Sequence, residues 1–180
     1  MSVAGLLIAV LVVAYFALRP LVRTWFLYRG TRVITCPETG KPAAVEVDAL
    51  LSAASRASLG SPMLRLASCS RWPERQACGQ ECLAEIEAAP HDCLARTMLE
   101  RWYAGKRCAF CRRPFTDMHP FDHRPGLRLV SGETVTWPTI RAEELPAVLA
   151  AAAPVCWNCH IAETFRRQHP GLVVDDPPRA

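Results

Sequence analysis

Apolar residues run from Val3 to Leu18 without a single charge, and after that the chain alternates short apolar stretches with turn residues. At about 1.5 Å per residue the first run covers about 24 Å as a helix, and Leu21 and Val22 with a snorkelling Arg19 extend it towards the ~30 Å of a hydrocarbon core. It is predicted to span a bilayer. Beyond it, residues 32–36 and 43–47 are β-leaning runs joined by the turn-rich Pro37-Glu-Thr-Gly-Lys-Pro42, a hairpin pattern. Asp48 caps a helix through Arg56 that ends around Gly60, and residues 64–69 read as another strand. Cys78 and Cys82 share a helix face if a helix begins near Gly79. Ala89-Pro-His91-Asp92 breaks that helix, and Asp92 opens a new one running to Tyr103. Leu94, Met98 and Trp102 form its stripe, with Leu99 and Tyr103 beside it, the pattern of a packed core helix. A second hairpin follows, with residues 127–130 and 134–137 flanking Ser131-Gly132. Residues 143–153 form a helix with Pro146 in its first turn. Ile161 and Phe165 mark the face of a last helix, which Pro170-Gly171 stop.

Charge decides which way the first helix points. Arg19, Arg23, Arg29 and Arg32 are the only charged residues before Cys36; the other basic residues of the 21 equal the 17 acidic ones. The net charge of +4 therefore belongs to the flank of the helix. Beyond that flank the chain lacks the net positive charge of a protein that grips phosphate backbones, which argues against nucleic acid as a partner. No basic residue precedes the apolar run, and Arg19-Pro20 follows it where a signal peptide would carry small residues for cleavage. The run thus reads as an uncleaved single-pass anchor, with a signal peptide as the alternative. Trp25, Phe26 and Tyr28 suit the membrane interface. Since cytoplasmic flanks carry the Lys/Arg excess, the remainder is expected on the cytoplasmic side of an inner (cytoplasmic) membrane. That compartment keeps thiols reduced, and an odd count of nine cysteines agrees with metal thiolates over a disulfide framework.

Two of the cysteine pairs have metal spacing: Cys108-Ala-Phe-Cys111 and Cys156-Trp-Asn-Cys159. One tight turn can aim both sulfurs of such a pair at a metal, and two pairs complete the four-sulfur shell that Zn²⁺ takes in structural sites. Knuckle, hairpin and a helix carrying the second pair in its first turn resemble the treble-clef zinc finger, over about a third of the chain. The expected fold class is α+β: an anchor helix followed by small zinc-stabilised lobes, the C-terminal one treble-clef-like. The expected division is anchor and basic flank 1–31, a cysteine-containing hairpin and helix lobe 32–91, the treble-clef-like lobe 92–172 and a fraying tail 173–180. Cys36-Pro-Glu-Thr39-Gly40 also resembles the knuckle of zinc ribbons, although Thr39 stands where the second cysteine belongs, so only Cys36 carries over. With Cys69, Cys78 and Cys82 it makes a possible second four-cysteine site, for which Cys93 competes. Buried free thiols and an iron–sulfur cluster are alternative readings of these cysteines.

Two further resemblances touch the second pair. Cys156-Trp-Asn-Cys159-His160 fits the attachment motif of c-type haem, in which Cys156 and Cys159 would hold the porphyrin and His160 the iron. That would make the chain an electron carrier, but it leaves Cys108 and Cys111 without a partner and conflicts with a cytoplasmic domain. The chain also resembles zinc-bearing HNH nucleases, with Asp122-His123 after the first pair and His160 directly after the second. The resemblance implies His123 as general base and His160 as ligand of a catalytic divalent metal. The asparagine of that pattern falls in residues 149–154, where no polar side chain occurs. A histidine that closes a turn (His123) or caps a metal-site helix (His160) is the structural alternative. The sequence therefore leads to a membrane-anchored zinc protein without catalysis, presenting a surface to a protein partner, with the nuclease and the cytochrome as alternatives.

Overall fold

The computed structural model describes residues 3–72, 74, 77–115 and 123–172; Asp122 and the tail from Val173 lie outside them. The chain mixes helix and antiparallel sheet and forms two compact units, Met1–Thr97 and Met98–Ala180, divided within helix α4 (Ala95–Tyr103).

In the first unit, α1 (Val3–Tyr28) continues as one helix through Pro20. Its most apolar stretch has a mean hydropathy of 2.3 and no buried residue, so it is long and apolar enough to cross a membrane. A helix with Val3, Ile8 and Leu11 all exposed is no core helix of this unit. Its last turns differ. Thr24 and Tyr28 are buried, and Trp25 and Leu27 pack against the core. Strands β1 (Arg32–Thr35), β2 (Pro42–Val47) and β3 (Leu66–Cys69) form an antiparallel sheet in that order. Alternation along β2 sends Ala43, Val45 and Val47 inward, where they meet Ile34, Leu66 and Ile86. Helix α2 (Ala49–Leu59) starts as expected, the Asp48 carboxylate accepting from the Leu51 N–H at 2.9 Å, and ends at Gly60 with φ 76°.

Arg32 opens β1 as expected, but its side chain, whose charge counts with that of the flank, turns inward. It is fully buried and donates to the carbonyls of Leu27 and Tyr28, each at 2.6 Å, and of Gly30 at 2.9 Å. The last turn of a helix leaves carbonyls without helical partners, and a cation there also meets the negative end of the helix dipole. A second departure concerns Cys78 and Cys82, which share no helix face. Helix α3 (Leu83–Ala88) begins only after Cys82, because Gln80 takes φ 58° and its side chain accepts from the Leu66 N–H at 3.0 Å.

In the second unit, β4 (Gly126–Arg128) lies between β5 (Thr134–Thr136) and β6 (Ala153–Val155), antiparallel to both. The β4–β5 hairpin turns through Gly132 at φ 85°. The end of α4 packs here through Leu99 and Tyr103, while the expected stripe residues Met98 and Trp102 are only half-buried. Tyr103 donates its hydroxyl to the Gly126 carbonyl and Trp102 its indole N–H to that of Leu149, both at 2.8 Å. Helix α5 (Leu145–Ala151) has Pro146 in its first turn but stops short of Ala153. Pro154 disfavours helical backbone at the residue before it, and pairing with β4 takes up Ala153 to Val155 as strand. Helix α6 (Trp157–Gln168) closes the unit.

Candidate metal centre

The segment from Lys106 to Phe115 folds back on itself. The Phe115 N–H donates to the Lys106 carbonyl at 3.2 Å, that of Cys108 to Arg113 at 2.9 Å and that of Arg112 to Cys108 at 3.0 Å. Arg112 adopts φ 60°, uncommon for a residue with a Cβ, and so reverses the chain within the pair's own turn. A bond from the Ala109 N–H to the Pro154 carbonyl at 2.8 Å fixes this knuckle to β6. The next residue after β6 is Cys156, which precedes α6, and Cys159 sits in the first turn of that helix. The fold thus supplies one pair from a knuckle and one from a helix start.

The four sulfurs of Cys108, Cys111, Cys156 and Cys159 all lie within 4.8 Å of one another. Sulfurs placed tetrahedrally at about 2.3 Å from one zinc ion stand about 3.8 Å apart. The Cys111 and Cys156 sulfurs are 3.6 Å apart, close to that edge and far longer than the roughly 2.05 Å of a disulfide. All nine cysteines are free thiols. The cluster is therefore compatible with a zinc site.

Electrostatics point the same way. Burial alone would raise the Cys108 thiol, but the N–H groups of Cys156, Cys111 and Phe110 are aimed at its sulfur and bring it down to about 6. The Cys156 N–H lies 3.3 Å from that sulfur. Cys156 and Cys159 are instead raised, first by burial; the neighbouring thiols Cys111 and Cys108 add to the rise at both. Four thiolates this close repel one another, and a bound divalent cation offsets that repulsion.

His160 turns into the sheet beside this cluster. It is buried, and its Nδ1 shares a hydrogen bond of 3.1 Å with the Thr134 hydroxyl rather than reaching out of the unit. Gly126 lies under it, where an added Cβ would stand 3.0 Å from the His160 Cβ, a tight contact. His123 is exposed and stacks on the Trp157 ring at 5.2 Å and 8°, and His160 makes a tilted contact with the same ring at 5.9 Å. Both candidate histidines thus touch Trp157, the first variable residue of the second pair. Asp122, expected as the neighbour of His123 in the nuclease pattern, lies outside the described residues.

The possible second set, Cys36, Cys69, Cys78 and Cys82, lines one small cavity in the first unit. Cys93 is not among its lining residues; it is buried in the core beside Arg32, its sulfur 3.7 Å from the Ala89 carbonyl. Thr134, Trp157 and Gly126 were not singled out from sequence as parts of the C-terminal site. Only the position of Trp157 between paired cysteines carried a signal, since the other two reach the site through strand pairing.

No protein-family model matches the chain, and comparison with curated proteins and with solved structures likewise finds no match. Its own residues define its class: among the described residues, one helix is long and apolar enough for a membrane and one four-cysteine cluster is suited to a metal ion.

Proposed function

We propose that this is a single-pass membrane protein whose zinc-bound, treble-clef-like lobe acts without catalysis as a docking module for another protein on the cytoplasmic face. The convergence of four sulfurs within 4.8 Å carries the reading, because a full shell of protein ligands leaves no open position for substrate or water. The ligands come from a knuckle and a helix start with the β4–β5 hairpin, α5 and β6 between them, an order that supports the treble-clef reading. The charge asymmetry of the anchor flank supports the cytoplasmic orientation. A c-type haem is disfavoured because His160 is directed at Thr134 and both cysteines of its pair are drawn into the cluster.

The second reading is an HNH-type nuclease, favoured by the shared contact of His123 and His160 with Trp157. The residues in the asparagine's place belong instead to the end of α5 and to β6. One experiment separates the two. Detergent-purified full-length protein is analysed for metal and then incubated with plasmid DNA and Mg²⁺, Mn²⁺ or Ni²⁺, beside His123→Ala and His160→Ala. The docking reading expects colourless, zinc-containing protein that does not nick DNA. Nicking lost in both variants establishes the nuclease instead, and a Soret band establishes the cytochrome. Cys159→Ser is expected to remove zinc from the C-terminal lobe and open it to protease, since structural zinc contributes about 10–16 kcal/mol of folding free energy in small fingers.

A further inference from the structure

The cavity lined by Cys36, Cys69, Cys78 and Cys82 has the makings of a site. Its volume is about 20 Å³, and its other walls include Ile34, Leu66 and Trp72. The space fits a single ion or a water and little more. Three separate segments bring the thiols there: the β1–β2 turn brings Cys36, the end of β3 brings Cys69, and the stretch before α3 brings Cys78 and Cys82. Four reduced cysteines facing one small apolar space are costly to leave without a partner if they ionise, and are otherwise the ligand set that a soft divalent ion selects.

Several polar groups around the cavity face the thiols, and the acidic residues Glu38 and Glu81 line it as well. The Cys36 carbonyl accepts from the Thr39 N–H at 3.2 Å and the Gly40 N–H at 2.8 Å, which winds a tight turn around the sulfur. The Thr39 side chain and the N–H groups of Glu38 and Thr39 face that sulfur. The Gln80 N–H lies 3.4 Å from the Cys78 sulfur. Arg71 also lines the cavity, and its buried Nε has no hydrogen-bond partner among the described residues although its other end pairs with Glu74 at 2.8 Å. A four-thiolate zinc centre is dianionic and would give that N–H an acceptor and the guanidinium a counter-charge.

We infer that Cys36, Cys69, Cys78 and Cys82 bind a second zinc ion, which ties the loop between β3 and α3 to the sheet of the first unit. Each thiol releases its proton to solvent as its zinc–sulfur bond forms, with no change of oxidation state. The set is looser than the C-terminal one, which is alone among the described residues in gathering its ligand atoms within 4.8 Å. Cys78 lies outside any helix or strand, so closing the shell draws in that loop without disturbing strand pairing. The ion replaces hydrophobic burial that so small a lobe cannot supply.

The test uses full-length protein purified in detergent under reducing conditions, with zinc per chain measured by elemental analysis. Two zinc ions are expected in the wild type. Cys36→Ser or Cys78→Ser should lower the count to one, Cys159→Ser should also lower it to one, and Cys36→Ser with Cys159→Ser should lower it to none. Because Cys159→Ser empties only the C-terminal site, failure of that site and failure of this one are read separately. Should the first-unit variants not fold, cobalt titration of the metal-depleted wild type decides: the bands of tetrahedral four-thiolate cobalt should grow until the second equivalent. A plateau at one equivalent, a wild-type count of one that Cys36→Ser leaves unchanged, iron with brown absorbance, or a disulfide within the set under these conditions would each overturn the inference.

Discussion

Gly126 opens β4 so close to α6 that a Cβ built on it would stand 3.0 Å from the His160 Cβ and 3.2 Å from the Val135 carbonyl oxygen. Both neighbours are held, His160 by its bond to Thr134 and Val135 by the ladder that pairs it with Leu127. Overpacking of this kind costs about 1–3 kcal/mol. Gly126→Ala should therefore lower the thermal midpoint of the C-terminal lobe; an unchanged midpoint would mean that α6 can move away freely. The same residues show what sequence conveys at this scale. The pairs at 108/111 and 156/159 were legible because ligand spacing within a turn is a local property. The tie from His160 to Thr134 spans 26 positions, and nothing in the residues between them announces it. The burial of Arg32 was hidden for a related reason: a cation after an apolar helix looks like part of a membrane flank until the carbonyls it serves are seen.

Local signals set the start of α2 as expected, whereas α4 begins at Ala95 rather than just after the expected cap Asp92. Helix α2 has its cap, Asp48, and its stop, Gly60, within its own segment. Replacing the cap by alanine removes the acceptor for the Leu51 N–H and costs about 1 kcal/mol. Asp48→Ala should shift the denaturant midpoint of the first unit by that amount, whereas Asp48→Asn should restore most of it; equal loss in both would assign the effect to charge rather than capping. Elements decided by a distant partner were read less well. Helix α5 was expected to run on through its alanines, yet Pro154 and the open edge of β4 turn the last of them into β6. Between β3 and α3, Gln80 gives its side chain to Leu66, and a helix that would have aligned Cys78 with Cys82 never starts there. In both places tertiary pairing outweighs local helix propensity, which for the alanines after Leu149 is the highest of any residue.

At the scale of the whole chain, the first prediction is topological. Every basic residue near the apolar run follows it, so a fluorescent protein fused to the C-terminus should be bright and an export-dependent reporter there inactive. The reverse pattern would put the cysteines in an oxidising compartment and undo the proposed function. The clamp by Arg32 bears on what such an anchor does. Two of its bonds go to the end of α1 and a third to Gly30 in the connector, all from the first residue of β1, and only three residues separate helix from strand. The clamp restricts a swivel at that joint. With α1 in a bilayer, whose thickness sets the tilt of a spanning helix, any lean of the helix is passed to the attached sheet as to the head of a rigid mast. The first unit would face its surroundings at an angle chosen by the lipid rather than sweep the space above it.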